Sequence, residues 1–196
     1  MENRTTRIDP RILRTRQLLR DAFVELLQEM DVEKISVNRL AERATINRVT
    51  FYLHYRDIPD MMEKLADEMN EDFSRILHGK SQSAEASPEG KEATLVELLE
   101  HIAHNAKFYK AVLATKRLPI FTERLSKLLS EMITERLEKS EKDVLASGLT
   151  VRRDIAIWFG SSALIGVIIS WLRNDMPYSP HFLAEQFSML TSSRSR

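Results

Sequence analysis

The chain has no cysteine, only five glycines and six prolines, and no excess of charge of either sign. Each shortage excludes something. Without cysteine there is no disulfide framework, no thiolate metal site and no cysteine nucleophile, which fits a reducing compartment and points to the cytoplasm. Scarce glycine and proline argue against turn-rich β architecture and favour long helices. The first residues are polar and Arg-rich, so no secretory leader is expected. No Ser-His-Asp spacing, phosphate-binding glycine loop or paired-carboxylate motif stands out, and an enzyme is not expected. What remains is a chain of 196 residues, 43% hydrophobic and 30% charged, enough for a real core in one or two compact domains.

The zero net charge hides a split. Residues 1–20 carry Arg4, Arg7, Arg11, Arg14, Arg16 and Arg20 against Glu2 and Asp9. Residues 57–72 carry seven carboxylates against Lys64. A basic end is either a solvated helix face or a surface for an anionic partner, and charge alone does not choose between them.

Hydrophobic spacing predicts helices throughout. Leu19, Phe23, Leu26 or Leu27, and Met30 mark an amphipathic helix over about 9–30, with Asp9-Pro10 as N-cap and first residue. Ser36 caps a short second helix striped by Val37, Leu40, Ala41 and Ala44. Asn47 is the next cap. After Asp57 and Pro59, a stripe of Met61, Leu65, Met69, Phe73 and Leu77 steps by four. The segment "HGKSQSAEASPEGKE" reads as a surface linker. From about 91 the chain is helical again, and "ATLVELLEHIAHNA" and "KFYKAVLATK" read as two helices or one broken one. A long helix then carries Phe121, Leu125, Leu128, Met132 and Leu137. Another spans about 150–175. The last spans about 179–191, with Leu183, Gln186, Phe187 and Leu190 on one face.

The stretch "RATINRVTFYLHYRD", 43–57, is ambiguous by itself. Val49, Phe51, Leu53 and Tyr55 alternate like a strand, yet nothing else in the chain offers a strand partner. As a helix, Phe51 and Tyr55 are i, i+4 neighbours that bury together, leaving Arg48, Val49 and Tyr52 outward and Thr50 at the edge. Residues 36–56 then form helix, tight turn, helix, preceded by a packing helix, which is the layout of a helix-turn-helix. Arg48 suits a guanine edge or a phosphate, Val49 and Thr50 a thymine methyl, and Tyr52 and His54 phosphate oxygens. The Arg-rich N-terminus suits the adjacent backbone or a minor groove.

With these residues in place, 12–62 resembles the DNA-binding domain of the TetR family of bacterial transcriptional regulators. The shared features are the Ile35, Leu40, Ala41, Ala44 pattern, then Ile46, Thr50, Phe51, Tyr52 and Tyr55, and the Asp60-Met61-Met62 start of the fourth helix. Three positions depart from the family pattern. Thr45 stands where a turn glycine is usual, Val49 replaces a second frequent glycine, and Ile58 replaces a phosphate-contacting lysine. The resemblance implies DNA contacts from the start of helix two, at Ser36 and Asn38, beside those of Asn47, Arg48, Val49, Thr50, Tyr52 and His54. It also implies an all-α homodimer: a helix-turn-helix domain over 1–57 and an effector-binding, dimerising helical domain over 58–196. A repressor binding a palindromic operator, released by a small-molecule effector, is the family's usual member. The alternative is a TetR-like co-activator or interaction module working through a protein partner.

The C-terminal half adds its own signals. Ile155 to Leu172 has no charged side chain. It is at the short edge of a membrane span, but its serines and glycines and its amphipathic neighbours argue for a buried helix, with no membrane partner. Ser162, Gly166 and Ser170 form a small stripe that lets a symmetric partner approach, with Leu183 and Phe187 joining the dimer interface. Phe108, Met132 and Trp158 are core residues or an effector pocket, whose polar handles would be His104, Asn105 and Ser162. His101 and His104, without a clear third ligand, do not make a metal site, and no cofactor is expected.

Overall fold

The computed structural model describes residues 9–79, 88–115, 117–144 and 152–192. It is all helical, with no strand among those residues. The helices are α1 (Pro10–Glu29), α2 (Val37–Arg43), α3 (Arg48–Tyr52), α4 (Ile58–His78), α5 (Pro88–His104), α6 (Ala106–Leu113), α7 (Pro119–Val144), α8 (Arg153–Arg173) and α9 (Pro180–Ser192). A 3₁₀ turn at Val32–Lys34 joins α1 to α2. The chain divides into two compact units, Met1–Leu65 and Ala66–Arg196, and the division falls inside α4.

In the first unit the caps are the expected ones. The Asp9 carboxylate accepts from Arg11 N at 2.9 Å, Ser36 Oγ from Arg39 N at 3.4 Å and Asn47 Oδ1 from Val49 N at 2.8 Å. Each satisfies a helix-start donor that would otherwise lack a partner. α2 packs on α1 and α3 on α2, around Leu19, Phe23, Leu40, Ala41 and Phe51, all buried. Burying a large apolar side chain contributes roughly 1.5–3 kcal/mol, so this small unit depends on each of them. The third helix is shorter than the pattern suggests: α3 ends at Tyr52.

The turn between α2 and α3 is closed by Thr45 N donating to Glu42 O at 3.1 Å and Ile46 N to Ala41 O at 2.9 Å. This pair of bonds requires a left-handed residue, and Thr45 sits at φ 56°. A β-branched residue is strained there.

In the second unit α7 runs along α8 and α5 along α9, while α6 touches α5, α7 and α8. α5 begins at Pro88, three residues before the spacing suggests, and α6 is separated from it by Asn105 alone. Phe121, Leu125, Leu128 and Met132 are buried on α7, whereas Leu137 is half-buried. On α9 the expected face is rotated: Ala184 is the buried residue and Leu190 is exposed. The middle of the linker, 80–87, lies outside the described residues. α8 buries Ser161, Leu164, Ile165, Ile168, Trp171 and Leu172 in its own unit. Its other side is open. It is the one described helix long and apolar enough to cross a membrane, and a third of its apolar window is buried inside the fold (33%).

Candidate nucleic-acid interface

Phe51 and Tyr55 are both buried, with ring centroids 5.6 Å apart, and they anchor α3. One face of α3 is thereby held inward and the other outward. Val49 is 62% exposed, Tyr52 55% and the following Leu53 77%. Arg48 is exposed and Thr50 half-buried at the edge. Ser36, Asn38 and Asn47 are exposed as well, although Ser36 and Asn47 also cap helices with one oxygen each.

Exposed large apolar residues on a five-residue helix are costly in water unless something covers them. A helix tip carrying Arg48, Val49, Thr50 and Tyr52 has the size and chemistry to enter a major groove.

The arginines of this region divide by role. Arg43 reaches back to the end of α1, with Nη1 and Nη2 on the two Glu29 oxygens at 2.8 and 2.7 Å, and Nη1 is 3.3 Å from Glu25. The Arg43 hydrogen bond holds the Glu29 carboxyl below its ordinary range, and the same bond raises the guanidinium. Arg56 stands 3.5 Å from Asp57. Arg48 makes no ion pair among the described residues, so its charge remains available to a phosphate or a guanine.

Sequence reasoning missed Lys64. Its ammonium donates to the His54 carbonyl and to Asp60 Oδ2, both at 3.0 Å, and lies 5.5 Å from the Tyr55 ring centroid. It ties the end of the α3 segment to the start of α4. The i, i+4 spacing of Asp60 and Lys64 was the available signal. Asp60 also accepts from Arg56 N at 2.8 Å, and that bond first, then Lys64, lowers its pKa. His54 is half-buried; burial first, then Arg16 and Lys64, pushes its imidazole down. It therefore meets a phosphate as a neutral donor unless the phosphate itself draws in a proton. Ile58 is buried, so the position expected for a phosphate lysine serves the core.

The second unit sorts the remaining residues differently from expectation. Met132 lines one cavity of the second unit and Ser162 another, and His104, Asn105, Phe108 and Trp158 line neither of these two. Phe108 is buried edge-on against Phe121, centroids 6.0 Å apart. The Asn105 amide donates to His101 O at 3.0 Å. His104 is exposed and Trp158 is 64% exposed. The physical reason is the face each takes on its helix: aromatic chemistry alone does not say which side a helix turns inward. His101 is hydrogen-bonded to the Tyr109 hydroxyl at 2.8 Å, and no three His, Asp or Glu side chains converge as metal ligands among the described residues.

Ser162, Gly166, Ser170 and Leu183 do come together, lining an open groove of about 820 Å³ between α8 and α9. Phe187 does not join them; it lines a separate, smaller cavity with Met132. The two glycines of α8 differ. A Cβ on Gly160 would lie 2.9 Å from Ile133 Cδ1, so Gly160 serves packing against α7. A Cβ on Gly166 would meet nothing within 4 Å, so nothing inside the chain calls for a glycine there.

Residues 89–193 match the TetR-type family described as "Transcriptional regulator C-terminal region". The chain belongs to the TetR family of transcriptional regulators. Such proteins are DNA-binding regulators and not enzymes, and the helix-turn-helix of the first unit is the family's DNA-binding element. The chain is 20% identical over 181 residues to the uncharacterised HTH-type transcriptional regulator YxbF of Bacillus subtilis, covering 90% of this chain but 44% of that protein. It therefore spans less than half the length of that curated relative. Among solved TetR-type folds, the fatty acid degradation regulator FadR of Bacillus halodurans superposes with a TM-score of 0.70 at 17% identity, covering 94% of this chain and 96% of the other. FadR of Bacillus subtilis, solved with stearoyl-CoA, gives a TM-score of 0.62 at 16% identity, covering 89% and 96%.

Proposed function

We propose that this TetR-family chain is a repressor acting in the cytoplasm, that it binds a palindromic operator as a homodimer, and that an effector in the second unit releases it. The observation that carries the reading is the outer face of α3, where Arg48, Val49 and Tyr52 stand exposed over a buried Phe51–Tyr55 anchor. In this reading two copies of α3 enter successive major grooves. Ser36, Asn38 and Asn47 reach phosphates or base edges, and His54 donates to the backbone from the rim.

The homodimer is supported by the open face of α8. Ser162, Gly166 and Ser170 line a groove bounded by Leu183, and Gly166 has no intrachain reason to lack a side chain. A second copy of α8 laid along this stripe would bury it, together with the exposed Ile155, Trp158 and Phe159 at the helix start. An effector would act by favouring one spacing of the two reading helices. A few kcal/mol of differential affinity suffices to switch occupancy.

The test is selection of duplexes from a random library by the full chain, followed by titration with Arg48→Ala and Tyr52→Ala combined. The expected result is a two-fold-symmetric consensus whose binding weakens and loses salt dependence in the variant. Unchanged affinity and salt slope would overturn the DNA reading. They would favour the co-activator alternative, in which the exposed Val49 and Leu53 meet a protein.

A further inference from the structure

The second unit contains a hollow distinct from the open groove. It has a volume of about 170 Å³ and lies where α5, α7, α8 and α9 meet the end of α4. Leu98, Met132, Leu164 and Phe187 give it an apolar wall. Lys91, Thr94, Ser188 and Thr191 supply a polar side. Thr94 is 2% exposed, one of two buried polar residues among the described ones, and its hydroxyl donates to Gly90 O at 3.0 Å. Its remaining capacity toward the hollow is as an acceptor. Lys91 forms no ion pair among the described residues, and no carboxylate lines the cavity.

These features restrict the occupant. A hollow of this size is close to the ~150 Å³ that takes one benzene ring. Apart from the hydroxyls of that polar side the wall is apolar, and a polar body set against Leu98, Met132, Leu164 and Phe187 would lose its hydration without replacement. A single ammonium beside it favours one negative charge at the edge of the ligand, and a dianion would keep an unmatched charge against an apolar wall. We propose that this cavity binds a small monocarboxylate whose apolar body is of ring size, held by Lys91, and that this is the effector of the regulator.

The position couples the cavity to the proposed dimer face. On α9, Phe187 lines the cavity while Leu183, one turn earlier, lines the open groove. On α8, Leu164 lines the cavity while Ala163 and Gly166 line the groove. The same two helices wall both spaces, so filling one shifts the surfaces of the other. The effector role rests on the regulator reading above; the binding site does not.

The experiment is calorimetric titration of the full chain with benzoate and with hexanoate, with toluene as the neutral ring of matching shape. Benzoate is expected to bind in the millimolar range or tighter, and to bind at least tenfold more tightly than toluene. Lys91→Met, at an exposed position, is expected to weaken benzoate about tenfold, the size of one lost charge contact. Leu164→Phe, which fills the hollow, is expected to abolish binding; should that variant not fold, Lys91→Met decides alone. No binding of either carboxylate, equal binding of toluene, or unchanged binding by Lys91→Met would overturn the site. Duplex binding measured on the same preparation separates the two readings. A ligand-free chain that binds no duplex sinks the regulator mechanism whatever benzoate does. A chain that binds duplex and benzoate independently, each without effect on the other, overturns the effector role.

Discussion

The Arg43 guanidinium closes a two-pronged bond on the Glu29 carboxylate, at 2.8 and 2.7 Å, across the ends of α2 and α1. This removes from the DNA account one of the two arginines that flank the turn before α3 and leaves the other, Arg48, five residues later. The two should therefore respond oppositely to removal. Arg48→Ala is expected to weaken operator binding on the order of tenfold and flatten its salt slope, with little change in stability. Arg43→Ala is expected to lower the denaturation midpoint while the salt slope of the remaining folded protein stays as it was. Because Glu29 is held below its unfolded value, the Arg43 contribution is complete above the ordinary carboxylate pKa and is lost as pH falls through the lowered one. Titration of both variants across salt concentrations, with unfolding curves alongside, checks the pair. If Arg43→Ala is the variant that flattens the salt slope, the division of roles is wrong.

Thr45 provides a second prediction. At φ 56° it holds the closing turn of α2 in the left-handed region with a β-branched side chain. That conformation costs a non-glycine residue about 1–2 kcal/mol, while glycine brings back about 0.5–1 kcal/mol of extra chain entropy. Thr45→Gly is accordingly expected to stabilise the protein by about 0.5–1 kcal/mol, read as a higher denaturant midpoint at unchanged slope. A fall in the midpoint would mean that the Thr45 side chain contributes more than its strain costs.

The residues that were legible in the sequence share one property: their structural cause is local. Asp9, Ser36 and Asn47 cap helices because the donors they satisfy lie two or three residues on. Phe51 and Tyr55 bury together because four residues is one helical turn. The Thr45 turn was legible for the same reason. The Arg43–Glu29 bond spans 14 residues and leaves no periodic trace. The face of α8 was equally hidden. A helix apolar on every side has no polar stripe to show which way it turns, so Trp158 reads as pocket or core although it is exposed, and Ser161, a serine among apolar residues, is buried. Phe187 lies one turn beyond Leu183 on the same side of α9, yet it lines the smaller cavity while Leu183 lines the open groove, so which space each enters depends on the neighbouring helices and not on spacing.

His54 gives a prediction with a sign that can fail. In the free protein burial, Arg16 and Lys64 hold its imidazole below the ordinary value of about 6.5. Phosphates placed against it would raise that value, so DNA binding would take up a proton there. Operator affinity is then expected to increase as pH is lowered from about 8 to about 6, beyond what other groups contribute, and His54→Gln is expected to remove the excess. Affinity measured against pH for both proteins decides it. Identical pH profiles would place His54 outside the contact and leave it as a packing residue of the α3–α4 junction.

The last prediction concerns the two glycines of α8. Gly160 is covered by Ile133, whose Cδ1 would lie 2.9 Å from a Cβ added there, while Gly166 faces open space in the single chain. In a lone chain Gly166→Ala would be a gain, since glycine inside a helix is about 1 kcal/mol less favourable than alanine. A glycine kept at such a site is explained by a neighbour that a side chain would hold off, and the adjoining Ser162 and Ser170 are small on the same stripe. Gly166→Leu is expected to leave helical content unchanged and to shift the chain toward monomer in sedimentation, with operator affinity falling because the two half-sites are no longer bound as a pair. Gly160→Ala is expected to leave assembly intact with little net change in stability, the helix gain of about 1 kcal/mol being offset by the shift forced on Ile133 Cδ1. A Gly166→Leu chain that sediments with the same mass as the parent would exclude this stripe from the dimer interface and move the search to the exposed aromatic end of α8 at Trp158 and Phe159.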